Sequence, residues 1–70
     1  MTKTEQVIEL AFCAGSLLLE SGAEISRVEE TMERICLHYG VRSENAFVLS
    51  NGIFITGDDE EGNDFVRIRH

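Results

Sequence analysis

The chain has few cationic side chains. Six Lys and Arg stand against thirteen Asp and Glu, for a net charge of −7 and a pI of about 4.6. The six are scattered along the chain without forming a patch. Phosphate recognition needs clustered Lys and Arg, which argues against nucleic acid as a partner. Anionic membrane surfaces are disfavoured on the same grounds. Cysteine is scarce too. Cys13 and Cys36 allow at most one internal bridge. Both fall among apolar residues of expected helices, which suits reduced, buried thiols and not a secreted disulfide scaffold. Long apolar runs are missing. The longest uncharged stretches, Leu10–Leu19 and Asn45–Gly57, fall well short of the roughly 18 residues of a membrane span. The opening MTKTEQVIEL lacks the basic segment and cleavage site of a signal peptide, so a soluble chain is expected. There is no His-Glu-x-x-His, nucleophile elbow or Gly-rich phosphate loop. No cofactor and no metal is expected.

Seventy residues make a single domain, 1–70. A chain this short buries only about 60% of its unfolded surface. Without disulfides or metals, the extra core is expected from self-association or from a remainder of a larger domain.

Thr2 and Glu5 have the spacing of a capping box, so a first helix is expected from there to about Ser21, with Gly22 as its C-terminal cap. Between Val7 and Leu19 only Glu9 is charged. A helix apolar nearly all round is buried on more than one side. Its small residues Ala11 and Gly15, four apart, let another helix approach closely. That helix is either the second helix of this chain or one from a second chain or an absent segment. Ser26 and Glu29 suggest a second capping box, starting a helix at Arg27 that Gly40 ends. Val28, Met32, Ile35 and Tyr39 form its apolar stripe. Glu30 and Arg34 are spaced for an ion pair.

The period then changes. Asn45–Ser50 and Ile53–Gly57 are β-rich runs around Asn51-Gly52, the dipeptide of a two-residue type I′ hairpin turn. That turn sets Leu49 opposite Phe54 and Val48 opposite Ile55. Phe47, Leu49 and Phe54 then share one face, and Val48, Ile53 and Ile55 the other, so both faces of the sheet should be covered. After the acidic turn 58–64, a third strand places Val66 and Ile68 on one face and Phe65, Arg67 and Arg69 on the other. A calcium loop in that turn would need spacing it lacks, and a solvated tip is the plainer reading. The fold class is α+β: a helical hairpin followed by a short antiparallel three-stranded sheet, α-α-β-β-β, expected to be a fragment of a larger domain.

The corner between the helices carries the densest set of placed polar residues, Ser21, Glu24, Ser26, Arg27, Glu29 and Glu30, of which Ser21, Glu24, Arg27 and Glu30 are the candidate substrate-binding residues. At a first helical position Arg27 would oppose the helix dipole and call for an anionic partner. Two readings stay open. One is a surface ion pair with Glu24 or Glu30, worth about 0–1 kcal/mol. The other is a substrate site in which helix N–H groups and the arginine fork hold a carboxylate. Ser21 is a nucleophile only if a distant base reaches it, and a helix-end hydrogen bond is its default.

Leu17-Leu18-Leu19-x-Ser21-Gly22-Ala23-Glu24 is followed by Arg27-Val28-Glu29-x-Thr31-Met32, then Tyr39-Gly40-Val41, Gly52-Ile53-Phe54 and Val66-Arg67-Ile68-Arg69. In order and spacing this resembles the N-terminal soluble domain of the threonine/serine exporter family of membrane transporters. In that family such a domain precedes a bundle of transmembrane helices that export small amino acids or, in related systems, dicarboxylates. The resemblance implies a soluble part of a cell-membrane transporter, with the transmembrane portion or a partner subunit as its neighbour and a small amino acid or dicarboxylate as solute. It departs from the family in lacking the transmembrane part and the helical sequence after the third strand. The rival classes are a hydrolase-like enzyme domain, which needs a reactive residue aligned with a base in a cleft, and a plain oligomerisation module.

Overall fold

The computed structural model describes residues 2–49, 52–59 and 61–70. Helices α1 (Lys3–Glu20) and α2 (Ile25–His38) precede strands β1 (Arg42–Leu49), β2 (Gly52–Asp58) and β3 (Asp64–Arg69). This is the expected α-α-β-β-β order.

The start of α1 is fixed by its side chains. Thr2 accepts from the Glu5 N–H at 3.1 Å, and the Glu5 carboxylate accepts from the Thr2 N–H at 3.2 Å, so both halves of the capping box are made. The helix closes in a Schellman motif. The Gly22 N–H donates to Leu19 O and the Ala23 N–H to Leu18 O, both at 3.0 Å. The motif needs a left-handed residue, and Gly22 supplies it at φ 82°. Gly40 repeats the device at the end of α2, at φ 77°, with the Val41 N–H reaching Cys36 O at 2.8 Å.

The start of α2 differs from expectation. The helix begins at Ile25, with Glu24 as an N-cap whose side chain makes no capping bond. Ser26 and Glu29 therefore lie inside the helix and form no box. After the Schellman turn Glu24 is extended, at φ −64° and ψ 145°, and helical geometry resumes at Ile25. Glu29 is drawn elsewhere, as described below.

The small pair on α1 settles which helix approaches it. Ala11 and Gly15 are buried, and a Cβ at Gly15 would stand 2.6 Å from Met32 Sδ and 3.5 Å from a Val28 methyl. The close neighbour is α2 of the same chain. The buried stripe of α2 runs Val28, Met32, Cys36, with Ile35 partly buried against the core and Tyr39 exposed. Cys36 is buried as expected, but Cys13 is exposed. It shares a helix face with Glu9 and Leu17, four residues either way, and both of these are also exposed.

The sheet is antiparallel in the order β1-β2-β3. Its hairpin register is Phe47 to Phe54, Val48 to Ile53 and Leu49 to Gly52, two residues away from the expected pairing. The connection is therefore 50–51, and Gly52 belongs to β2. The expected type I′ geometry at Asn51 lies outside the described residues. Gly52 has a different reason to be glycine: a Cβ there would sit 3.0 Å from the Arg69 carbonyl oxygen. A shift of two keeps side-chain parity, so the face assignments hold. Ala46, Val48, Ile53, Ile55 and Phe65 face the helices and, apart from half-buried Val48, are buried.

Both helices lie on that one side, α2 against β1 and α1 reaching the sheet at β2. The expected cover on both faces is not present among the described residues. Phe47, Leu49, Val66 and Ile68 are exposed on the other face.

Helix α2 also closes the edge of β1. Half-buried Glu29 and Glu33 accept from the backbone N–H groups of Val48 and Ala46, each at 2.9 Å. Four helical residues rise about 6 Å, and two strand residues about 6.8 Å. Carboxylates at i and i+4 therefore reach alternate strand N–H groups, and the helix stands where a further strand would pair.

Candidate functional site

The structure leaves the four corner residues on the surface. The Ser21 hydroxyl donates to Leu17 O at 2.9 Å, the default helix-end bond, so it is not poised as a nucleophile. The Glu24 carbonyl accepts the first helical bond, from the Val28 N–H at 3.1 Å. Arg27 is the third residue of α2 and is exposed. Among the described residues it makes no ion pair, and the expected bond to Glu24 or Glu30 is not formed. The premise for that bond, a first helical position, fell when the helix began two residues earlier. Glu30 instead pairs with Arg34 at 2.8 Å, the spacing read in the sequence. No hydrogen bond or ion pair joins any two of Ser21, Glu24, Arg27 and Glu30 among the described residues.

Of the four, Glu30 lines a cleft. It lies with Glu33, Arg34, Leu37, Gly40, Val41 and Arg42 around an open space of about 510 Å³ between the C-terminal half of α2 and the start of β1. The sequence reading missed this cleft because its walls come from opposite sides of the Gly40 corner. Its lining mixes two guanidinium groups, two carboxylates and the apolar Leu37 and Val41. Glu33 spends one carboxylate oxygen on Ala46, and Arg34 is held by Glu30.

A second charged cluster lies where β3 meets α1. Arg69 pairs with Glu9 and stacks over the Phe12 ring at 5.3 Å. Arg67 stacks over the Phe65 ring at 5.4 Å. Here the cations serve as lids on aromatic core residues. In the acidic turn, the Asp59 carboxylate accepts from the Glu61 and Asn63 N–H groups, both at 2.9 Å. Its role there is to build the turn. His38 meets Tyr39 edge to face, at 4.8 Å between ring centres.

The family model of the threonine/serine exporters, ThrE, matches residues 9–70. The chain belongs to that family of membrane transporters. No curated protein matches it, and no solved structure does. Among the described residues, no helix is long and apolar enough to cross a membrane.

Proposed function

We propose that this chain is the soluble N-terminal part of a threonine/serine exporter-like transporter, and that it assists export of small amino acids or related carboxylates by contact with the transmembrane portion. The observation that carries the reading is the family match over 9–70, on a chain whose described helices are too short or too polar to span a bilayer. The exposed corner of Ser21, Glu24, Arg27 and Glu30 is the part of the domain proposed to meet the solute or the transmembrane portion. Support for this comes from Arg27, a cation with no ion pair among the described residues.

The same feature makes a clean test. Arg27 is exposed and has no ion pair among the described residues, so Arg27→Ala leaves stability close to that of the parent. Threonine export is measured per molecule of correctly inserted full-length transporter carrying Arg27→Ala, beside a transporter lacking residues 1–70. Export falls in both if the reading holds. Normal export without the domain would end the transport reading. Normal export with Arg27→Ala alone would remove the corner from it.

A further inference from the structure

The register sets Phe47, Phe54 and Ile68 side by side in one row across the three strands, on the face turned away from the helices. Asn45, Thr56 and Val66 form the next row, and Leu49 and Gly52 pair on the other side. No residue in these rows is charged. The acids of this −7 chain lie on the helices, on Glu24 between them, at Glu44 near the start of β1 and from Asp58 to Asp64 at the end of the sheet. Phe47, Leu49, Val66 and Ile68 are 44, 56, 58 and 49% exposed around half-buried Phe54. From this we infer that the open face is an interface between two copies of the chain, packed sheet against sheet.

Three arguments select a second copy as the occupant. The first is charge. Two copies of an acidic chain repel each other wherever their acids face, and these three rows carry none, the acids of this side standing in the next row at Asp58 and Asp64 beside Arg42. The second is area. Large apolar side chains carry roughly 200 Å² each, so four at about half exposure leave about 400 Å² per copy. Two copies then bury ~800 Å² from these side chains alone, and Phe54 with the rims brings the total towards the ~1,000 Å² of the smaller specific interfaces. The third is symmetry. A two-fold axis parallel to the strands and over β2 sets Phe54 against Phe54 of the second copy, and Phe47 against Ile68 on either side. The row is its own complement, as a two-fold contact requires. Two such sheets stack about 10 Å apart with their strands nearly aligned. An area at the low end of specific interfaces suits a reversible dimer. The inference stands apart from the transport reading, since it rests on the sheet alone.

The test is sedimentation of the chain over a concentration series. The mass rises from 7.8 kDa to twice that value. Phe54→Glu and Ile68→Glu weaken pairing at least tenfold and keep the parent's circular dichroism. Leu17→Glu, at an exposed position of α1, leaves pairing intact. A bifunctional thiol reagent spanning roughly 10 Å, the sheet separation, joins Phe54→Cys in a Cys13→Ser background to a second copy, and this readout does not depend on a charged variant folding. A chain monomeric at every concentration would overturn the inference. So would pairing lost with Leu17→Glu and kept with Phe54→Glu. In the full-length transporter, cross-linking of Phe54→Cys to the transmembrane portion in place of a second copy would overturn it as well.

Discussion

Glu33→Leu removes the carboxylate that accepts from the Ala46 N–H, and Glu29→Leu removes the one that accepts from Val48. Each change leaves a strand N–H without its acceptor, beside a helix that blocks most of the water. A hydrogen bond to a charged acceptor contributes about 1.5–3 kcal/mol. Both carboxylates are only half-buried, so solvent replaces part of each bond and about 1–2 kcal/mol remains. For a domain of this size each kcal/mol shifts the melting temperature by about 4–8 °C. Each single variant is therefore expected to melt at least about 4 °C below the parent. The double variant loses less than the sum, because the two carboxylates hold one strand against one helix. Glu33→Gln keeps an oxygen in place and loses only the charge assistance, so it falls between parent and Glu33→Leu. Thermal melts give the size, and residue-resolved amide exchange gives the cause. Protection must drop at Ala46 in Glu33→Leu and at Val48 in Glu29→Leu. A melting temperature within about 1 °C of the parent, with Ala46 protection unchanged, would show that the β1 edge does not depend on α2.

Gly15→Ala gains about 1 kcal/mol of helix propensity, but its Cβ would stand 2.6 Å from Met32 Sδ in a fully buried contact. Overpacking of about 1–3 kcal/mol outweighs the gain, so the urea midpoint falls, and further for Gly15→Val. Cys13 is exposed, whereas the buried Cys36 has its thiol pKa raised by desolvation and then by Glu33. A thiol reagent therefore labels Cys13 at once and Cys36 only as the chain unfolds. Because that pKa is raised in the fold, the matching stability is present below the ordinary thiol range and is lost as the pH rises through it. Glu5 has its pKa lowered, first by the Thr2 backbone bond and then by the Thr2 hydroxyl. Its contribution is present above the ordinary carboxylate range and lost as the pH falls through the depressed value. Thr2→Ala thus melts below the parent at neutral pH, and the gap narrows in acid.

The helices and sheet faces were legible because local chemistry and tertiary packing agree there. The Thr2 box, the Gly22 and Gly40 caps and the alternation from Ala46 to Ile55 each have a single satisfactory solution. The hairpin register was misread because Asn51-Gly52 carries two messages. Glycine at a turn and glycine under a neighbouring backbone look alike in one sequence, and here the Arg69 carbonyl is why Gly52 has no side chain. Cys13 was misplaced for a related reason. An apolar stretch of helix with three sides gives no hint which side remains uncovered when only one helix and one sheet face are there to cover it.

The corner shows where residue patterns stop short of function. Ser26-x-x-Glu29 has capping-box spacing, yet a box would hold Glu29 against its own helix. The carboxylate instead reaches Val48 on β1, and a strand N–H at a part-buried edge gains more from it than a solvated helix start does. Of the two acids expected to offset Arg27, Glu30 serves Arg34, and Glu24 forms no ion pair with Arg27 among the described residues. A guanidinium so placed adds almost nothing to the fold. Under the proposed function, whatever Arg27 contributes comes from contacts beyond the described residues, where it has no ion pair, and export per inserted molecule is the quantity that registers it.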